Sequence, residues 1–338
     1  MSHAARPARP GLIDASLLVV ALVWGSTYLT AKDLVEPATV VAVLALRFVL
    51  TAVVMAPFCV QRLRGTSRHE LRTGAILGGI LAVEFALETF GIAGTSATNA
   101  GLIISLAIVL TPVMESLLTR AWLPRRFFVA GVVSVVGVAL LASGSSFGAP
   151  TWGDGLVLIA ATVRAVHVAA THRLSAGRRQ DSVTLTFVQL CVCAVVFCGL
   201  SPFAGDTLVQ VVPRLSAGQW AELVYLVLVC TIFAFVVQTW AIRSTSPSRV
   251  SLLLGTEPIW ALVLGLTLAG DRIGWVGLVG AAAIVVGTQW GRRTERRFRE
   301  LRLGEVGLAH LQDLQDRPTT TAAPAGVDRP DAAEPARR

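Results

Sequence analysis

Two glutamates lie four residues apart inside an apolar stretch, Glu84 and Glu88 of the segment AVEFALETF (residues 82–90). In an α-helix this spacing places both carboxylates on one face. Neighbouring carboxylates raise each other's affinity for a proton, and burial raises it further, so such a pair can exchange a proton near neutral pH. Three roles are open. One acid, Glu88 more than Glu84, carries a proton; or Glu84 forms a buried ion pair that fixes helix packing; or an acid binds a cationic substrate group.

Basic and titratable side chains also lie inside apolar stretches, at Arg47, Arg164 and His167. A charge at the centre of a lipid bilayer costs from about 2.5 to more than 10 kcal/mol, so each one must be paired, hydrated or functional. Arg47 and Arg164 are the candidate partners of Glu84, because the three residues lie at a similar depth in their stretches. Arg164 could instead clamp a substrate carboxylate. His167 is either a packed, hydrogen-bonded side chain or a proton carrier.

These side chains must be positioned by helices that cross a membrane. The chain has 338 residues, of which 54% are hydrophobic and only 15% charged, whereas soluble globular proteins carry about 25% charged residues. Apolar runs of about twenty residues, long enough to span a bilayer core, recur along the chain. Their ranges are 14–31, 38–58, 73–93, 97–119, 127–143, 155–172, 183–203, 219–240, 248–269 and 274–290. We therefore predict an all-α integral membrane protein with ten transmembrane helices.

The basic residues are distributed unevenly between alternate connections. With the N-terminus inside, the inner connections contain most of them: Arg62, Arg64, Arg68, Arg72, Arg120, Arg125, Arg126, Arg173, Arg178, Arg179, Arg243 and Arg249. Because Lys and Arg accumulate on the cytoplasmic side of membrane proteins, we predict a multi-pass protein of the cell (inner) membrane with both termini cytoplasmic. The net charge of +8 is explained by topology, and no nucleic-acid partner is expected.

The two halves of the chain resemble each other at an offset of 150 residues, where ETFGIAGTS (88–96) aligns with QTWAIRSTS (238–246). Each half then holds five spans, and an odd number forces the second copy to face the opposite way. Inverted repeats of this kind are typical of transporters, with the substrate site near the midplane between the copies. The predicted segments are a cytoplasmic N-terminus (1–13), a first repeat (14–143), a second repeat (155–290) and a basic, then disordered, cytoplasmic tail (291–338).

Glu257 and Pro258 interrupt the ninth span. Proline removes a backbone hydrogen bond, and such breaks border cavities in transporters; the alternative is a packing kink in which Glu257 is hydrogen-bonded to a neighbouring helix. The position equivalent to Pro258 in the first half is Ile108, so this feature is not expected to be symmetric. Pro112 could kink the fourth span in a similar way.

Four more side chains are candidates for the site. Trp24 and Tyr28, four residues apart in the first span, could supply an aromatic wall for a pocket. Gln238 is the counterpart of Glu88 in the second half, and Asn99 begins the fourth span. Helix packing alone would also account for these residues.

Four segments in order resemble the EamA family of the drug/metabolite transporter (DMT) superfamily: VWGSTYLTAK, LALRFVLTAVV, TSATNAGLII and LLLGTEPIWALVLGLTLAGDRI, in the first, second, fourth and ninth spans. The resemblance covers roughly residues 14–290. It implies ten helices, cytoplasmic termini, and export or exchange of amino acids, other metabolites or toxic compounds. This chain departs from the family at Glu88, where many relatives have Gln, and at Arg164 and His167, which replace a Trp and an aromatic residue.

The leading hypothesis is a secondary transporter that carries a small organic metabolite or a drug by alternating access. Acidic and basic groups together suit a zwitterion such as an amino acid, provided that Glu88 and Arg164 face one cavity. The expected partners are a small-molecule substrate, the lipid bilayer and, if an acid titrates, protons. The sequence lacks a phosphate-binding loop and metal-ligand spacings, so we expect no cofactor and no enzymatic activity. A receptor or scaffold, or a membrane-embedded enzyme, is the alternative; the substrate, the direction and the oligomeric state stay open.

Overall fold

A computed structural model describes residues 10–95, 97–119, 122–143, 151–175, 181–268 and 274–316. The described residues form a succession of α-helices. Their bounds are α1 Pro10–Leu34, α2 Val40–Leu63, α3 Arg68–Gly94, α4 Ala97–Ile104, α5 Ala107–Thr119, α6 Arg125–Ser143, α7 Trp152–Ser175, α8 Ser182–Leu200, α9 Leu208–Val211, α10 Ala217–Tyr225, α11 Ala234–Ser244, α12 Pro247–Leu254, α13 Glu257–Thr267 and α14 Trp275–Asp316. A π-helical segment, Leu226–Phe233, joins α10 to α11.

Each of the predicted apolar spans coincides with a helix or a pair of short helices. Among the described residues, six helical stretches are long and apolar enough to cross a membrane: Gly11–Leu34, Val40–Leu63, Arg68–Gly94, Trp152–Ser175, Ser182–Phe203 and Ala217–Ser244. The protein is therefore an all-helical, multi-pass membrane protein. A total of ten crossings stays a prediction, since the fourth and ninth spans are each divided into two short helices.

The two divided spans break at equivalent positions. The helix α4 ends at Ile104 and α12 ends at Leu254, so the breaks are separated by the offset of the sequence repeat. At the breaks, the Leu106 N–H donates to the Ile103 carbonyl at 3.1 Å, and the Thr256 N–H donates to the Leu253 carbonyl at 3.3 Å.

The expectation that the interruption at Pro258 has no counterpart was wrong. The first half breaks in the same place although Ile108 keeps its N–H, which donates to the Ser105 carbonyl at 2.9 Å. The break therefore does not depend on a proline. Pro112 lies inside α5, one turn beyond the interruption rather than at it.

Helices of the first half pack mainly against helices of the second half. α3 lies against α7 and α8, α2 against α8, α1 against α13, and α5 against α7. Glycines allow a close approach between α3 and α7: a Cβ atom on Gly153 would lie 2.5 Å from the backbone carbon of Gly94 and 2.6 Å from the carbonyl oxygen of Gly91. Small residues at helix interfaces permit this contact in membrane proteins. The contact sets the α3 glutamates opposite α7.

Two glycines of α7 give a matched test of this packing. Gly153→Ala is expected to destabilise the protein by about 1–3 kcal/mol, because the added methyl group meets backbone atoms that cannot rotate away. Gly155→Ala adds the same methyl group where no atom lies within 4 Å, so it is expected to be neutral or slightly stabilising. Thermal unfolding of the two variants in the same detergent measures the difference, and equal melting temperatures would contradict the close contact.

Ion pairs join helix ends at the surface of the bundle. Arg249 at the start of α12 donates to both carboxylate oxygens of Asp14 in α1 at 2.9 Å. Arg62 at the end of α2 donates to Asp181 at 2.7 Å. Partial burial raises the pKa of Asp181, but hydrogen bonds from Arg62 and Thr184 more than offset this effect, so its pKa lies below the ordinary value. Asp181 therefore caps α8 as an anion.

The C-terminal part of the chain forms a second compact unit, residues 297–338. Its described portion is the continuation of α14 to Asp316, in agreement with the helix-forming composition of that segment. The stretch for which disorder is predicted, after residue 318, lies outside the described residues.

Candidate functional site

Arg164 of α7 is the centre of a buried charge cluster. Its Nε donates to Glu84 Oε1 at 2.9 Å, and its Nη2 donates to both oxygens of Glu88 at 3.0 Å. Its Nη1 lies 3.5 Å from Glu257 Oε2. The four side chains are between 4% and 12% exposed. One guanidinium thus contacts carboxylates from α3 and α13, which belong to different halves of the chain.

Glu257 is held at the first turn of α13. Its other oxygen, Oε1, accepts a hydrogen bond from the Tyr28 hydroxyl of α1. A carboxylate at this end of a helix is also stabilised by the unpaired N–H groups of the first turn. The break before α13 therefore aims a helix N-terminus and its own glutamate at Arg164. Gly25 lets α1 pack closely against the first turn of α13, because a Cβ atom at this position would lie only 2.9 Å from the Glu257 carbonyl oxygen.

His167 lies beside Glu84 but does not hydrogen-bond to it. Its Nδ1 is 4.0 Å from Glu84 Oε2, while its Nε2 is 2.8 Å from Gln189 Oε1 of α8. The Gln189 amide nitrogen donates to the Leu185 carbonyl at 3.3 Å. Glu84 Oε2 itself has no hydrogen-bond partner among the residues that the structure describes.

Trp24 of α1 stacks against the charge cluster. The Arg164 guanidinium carbon lies 5.3 Å from the centroid of its ring, and the Phe235 ring of α11 lies 5.3 Å away on centroids. Trp24 Nε1 donates to the Cys230 carbonyl at 3.0 Å. This carbonyl is accessible because of the π-helical segment. The Ala234 N–H, which would donate to the Cys230 carbonyl in a regular α-helix, donates to the carbonyls of Val229 and Thr231 instead. π-Helical turns are frequent at functional sites.

Arg47 of α2 is buried near the cluster but outside it. Its Nε donates to Thr231 Oγ1 of the π-helical segment at 2.8 Å, and its guanidinium lies 5.0 Å from the centroid of the Phe85 ring. Within the described part of the chain no carboxylate lies within 4.0 Å of it. Of the two arginines considered as partners of Glu84, the structure selects Arg164. Equal depth along two helices did not bring Arg47 into contact with Glu84, because its Nε is bonded to Thr231 of the π-helical segment instead.

Two cavities adjoin the charge cluster. The first cavity extends to Val35 and Ile92 near the ends of α1 and α3, and the residues that line it include Trp24, Arg47, Phe85, Glu88, Arg164 and Phe235. The second cavity lies at the two helix breaks and is lined by residues that include Trp24, Ser105, Arg164, Gln238, Gly255 and Glu257. Trp24 and Arg164 line both cavities, so they lie between them.

The structure thus brings together most of the residues singled out in the sequence. Gln238 lines the second cavity, and its Oε1 has no hydrogen-bond partner in the described ranges. The side chain of Asn99 lies outside the described residues. Two contributors were missed: Gln189, a polar residue within an apolar span whose position could have revealed it, and Thr231. No sequence signal distinguishes Thr231 from the many threonines that pack in membrane helices.

Comparison with known proteins identifies the chain by its two repeats. The model of the EamA-like transporter family matches residues 11–143 and again residues 151–290. The chain belongs to the EamA-like transporter family. This finding confirms the resemblance seen in the four motifs. The family is a family of transporters, which fits a protein that is not an enzyme.

Individual relatives are distant. An uncharacterized transporter of Archaeoglobus fulgidus is 25% identical over 273 residues, covering 81% of this chain and 83% of the relative. The uncharacterized inner membrane transporter YedA of Escherichia coli K12 is 24% identical over 271 residues, covering 78% of this chain and 86% of YedA. A crystal structure that is 17% identical superposes with a TM-score of 0.64 over 86% of this chain and 99% of that one. The last comparison shows a shared fold alone.

Proposed function

We propose that this EamA-family protein is a secondary transporter that exports a small zwitterionic metabolite, an amino acid or a related compound, across the inner membrane. Transport proceeds by alternating access, and a proton is the coupling ion. The observation that carries the proposal is the position of Arg164 and Trp24 between two cavities. A group that lines both cavities can contact a solute from either side. The family membership and the names of the relatives support transport, and the name of YedA supports the inner membrane.

The first cavity offers complementary groups for a zwitterion. Glu88 and Arg164 both line it while being hydrogen-bonded to each other. A substrate ammonium group can pair with Glu88 while a substrate carboxylate takes the place of Glu88 on the planar guanidinium of Arg164, which favours bidentate carboxylates. Aromatic rings of Trp24, Phe85 and Phe235 form an apolar wall for the substrate side chain. Most ligand pockets combine such a wall with few convergent polar groups.

The sharing of the cluster between the two repeats supports alternating access. Glu88 comes from the first repeat and lines the first cavity, whereas Glu257 comes from the second repeat and lines the second cavity. Arg164 contacts both. When a bound carboxylate displaces one glutamate from Arg164, the contact that joins α3 to α13 through this residue weakens. Rocking of one repeat against the other would then open the opposite cavity.

Uptake by proteoliposomes tests the proposal. The purified protein is reconstituted and given a mixture of labelled amino acids, with and without an imposed pH gradient. Uptake is expected in the native protein. Glu88→Gln is expected to slow it about ten- to a hundredfold, since loss of a charged hydrogen bond is worth about 1.5–3 kcal/mol.

Glu36→Gln is the matched control, because Glu36 is an exposed residue of the connection between α1 and α2. It makes the same chemical change in a side chain that lines neither cavity and is expected to transport like the native protein. Equal rates for Glu88→Gln and Glu36→Gln would contradict the assignment of the ammonium site. Absence of uptake by the native protein would contradict the amino-acid class.

A further inference from the structure

One carboxylate oxygen of the charge cluster, Glu84 Oε2, lacks the hydrogen bond or guanidinium contact that the other oxygens have among the described residues. Glu88 receives hydrogen bonds from Arg164 on both oxygens, and Glu257 receives one from Tyr28 and faces Arg164 with the other. Glu84 is bonded through Oε1 only, and its Oε2 has no donor in the described ranges although the side chain is buried. An ionised oxygen in this situation is strongly disfavoured, whereas a protonated one is not.

The balance of charge points to the same conclusion. The charged and titratable groups around Glu84 are Glu88 on its own helix, Arg164 and His167 on α7, Cys193 on α8, Glu257 on α13 and, beside Glu88, Arg47 on α2. Three carboxylates are thus in contact with one guanidinium group, that of Arg164, and Arg47 is a second cation nearby that contacts none of the described carboxylates within 4.0 Å. In a membrane interior the remaining negative charge must be neutralised, and a single proton suffices.

The hydrogen bonds of His167 prepare an acceptor for that proton. Because the Gln189 amide nitrogen donates to the Leu185 carbonyl, its oxygen is the atom that faces His167 Nε2. The hydrogen of the neutral imidazole is then on Nε2, which leaves Nδ1 as a bare acceptor. This atom is 4.0 Å from Glu84 Oε2. The two atoms must move about 1 Å closer together to form a hydrogen bond. Contacts between catalytic groups are often longer than a hydrogen bond before a ligand binds.

We propose that Glu84 Oε2 is the binding site of the coupling proton and that it is separate from the substrate cavity; this inference rests on the proposed transport function. Binding forms the O–H bond on Oε2, which points to His167 Nδ1, and release returns one proton to solvent. Glu84 lines neither of the two cavities, whereas Glu88 and Glu257 each line one. His167 is a positioning residue for the proton.

Arg164 links the proton site to the substrate site. Loss of the proton makes Glu84 an anion whose nearest cation is Arg164, and the guanidinium is drawn towards it. The bidentate contact between Arg164 and Glu88 is weakened by the same movement, so that Glu88 is available to a substrate ammonium group. The structure thus assigns the proton to Glu84, whereas the sequence favoured Glu88.

Infrared spectroscopy tests the site without a substrate. Purified protein in lipid at neutral pH is expected to show the carbonyl stretching band of a protonated carboxylic acid, and Glu84→Gln is expected to remove it. The amide of this variant keeps an acceptor for Arg164 and offers an N–H towards His167, so the fold is expected to survive. Glu36→Gln is expected to keep the band, and His167→Leu to shift its frequency. Absence of the band from the native protein, or its survival in Glu84→Gln, would overturn the proposal.

Transport separates this inference from the proposed function. Exchange of labelled amino acids at equal pH on both sides needs the substrate site only, whereas accumulation driven by a pH gradient needs the proton site as well. Glu84→Gln, which resembles the protonated state, is expected to lose gradient-driven accumulation and the dependence of exchange on pH that the native protein shows. Accumulation that persists in Glu84→Gln would refute the coupling role. Failure of exchange in the native protein would refute the proposed substrate, while the infrared result would still decide the proton site.

Discussion

Arg164→Met is expected to destabilise the protein by about 3–5 kcal/mol and to abolish transport, because removal of one partner from a buried ion pair leaves an uncompensated charge. Here the loss concerns three carboxylates at once, all in contact with the same guanidinium. Methionine has a similar reach and apolar volume, so the effect reports charge rather than a cavity. Thermal unfolding in detergent and uptake by proteoliposomes measure the two consequences.

Two further variants isolate the electrostatic cause. Arg62→Met removes an arginine whose side chain is 57% exposed in its pair with Asp181, and exposed pairs contribute only about 0–1 kcal/mol. Arg164→Met combined with glutamine at positions 84, 88 and 257 removes the unpaired charges and is expected to recover most of the stability but no transport. Equal melting temperatures of Arg164→Met and Arg62→Met would show that the cluster does not depend on this arginine.

Trp24→Ala is expected to cost about 3–5 kcal/mol, the usual range for truncating a buried tryptophan, and to make the membrane leaky. Trp24 is 6% exposed, and its ring lies between the first and the second cavity. Truncation would join the two cavities. An imposed pH gradient across the proteoliposomes is therefore expected to decay faster with Trp24→Ala than with the native protein.

Two control variants separate the effect of the Trp24 ring from the effect of its hydrogen bond and from the effect of removing any tryptophan. Trp24→Phe keeps a ring beside Arg164 but leaves the Cys230 carbonyl without its donor, which costs about 1–3 kcal/mol, and it is expected to retain the pH gradient. Trp275→Ala removes a tryptophan that is 76% exposed, and surface substitutions usually change stability by about 0.5 kcal/mol or less. A pH gradient that decays equally fast with Trp24→Ala and Trp275→Ala would contradict a partition at Trp24.

Much of the fold follows from one-dimensional patterns. Apolar runs long enough to cross a bilayer must be helical, since every backbone N–H and carbonyl has to be paired inside lipid. Of the two helix breaks, however, the sequence indicated only the one at Pro258; the break in the first half, at the position related to it by the repeat offset, was not expected because no proline marks it. The buried charges were also visible, because a glutamate such as Glu84 within an apolar span is costly wherever it points.

The contacts of those charges were decided by the tertiary structure. Depth along a helix is fixed by residue number, but rotation about the axis and the choice of neighbour are fixed by packing. Arg47 and Arg164 lie at similar depths, yet only α7 approaches α3 through Gly153, so only Arg164 reaches Glu84. The distinction between Glu84 and Glu88 depends on which carboxylate oxygen meets a donor. The distance between each oxygen and its donor depends on how α3, α7 and α8 pack together, and the spacing of residues within one helix does not determine it.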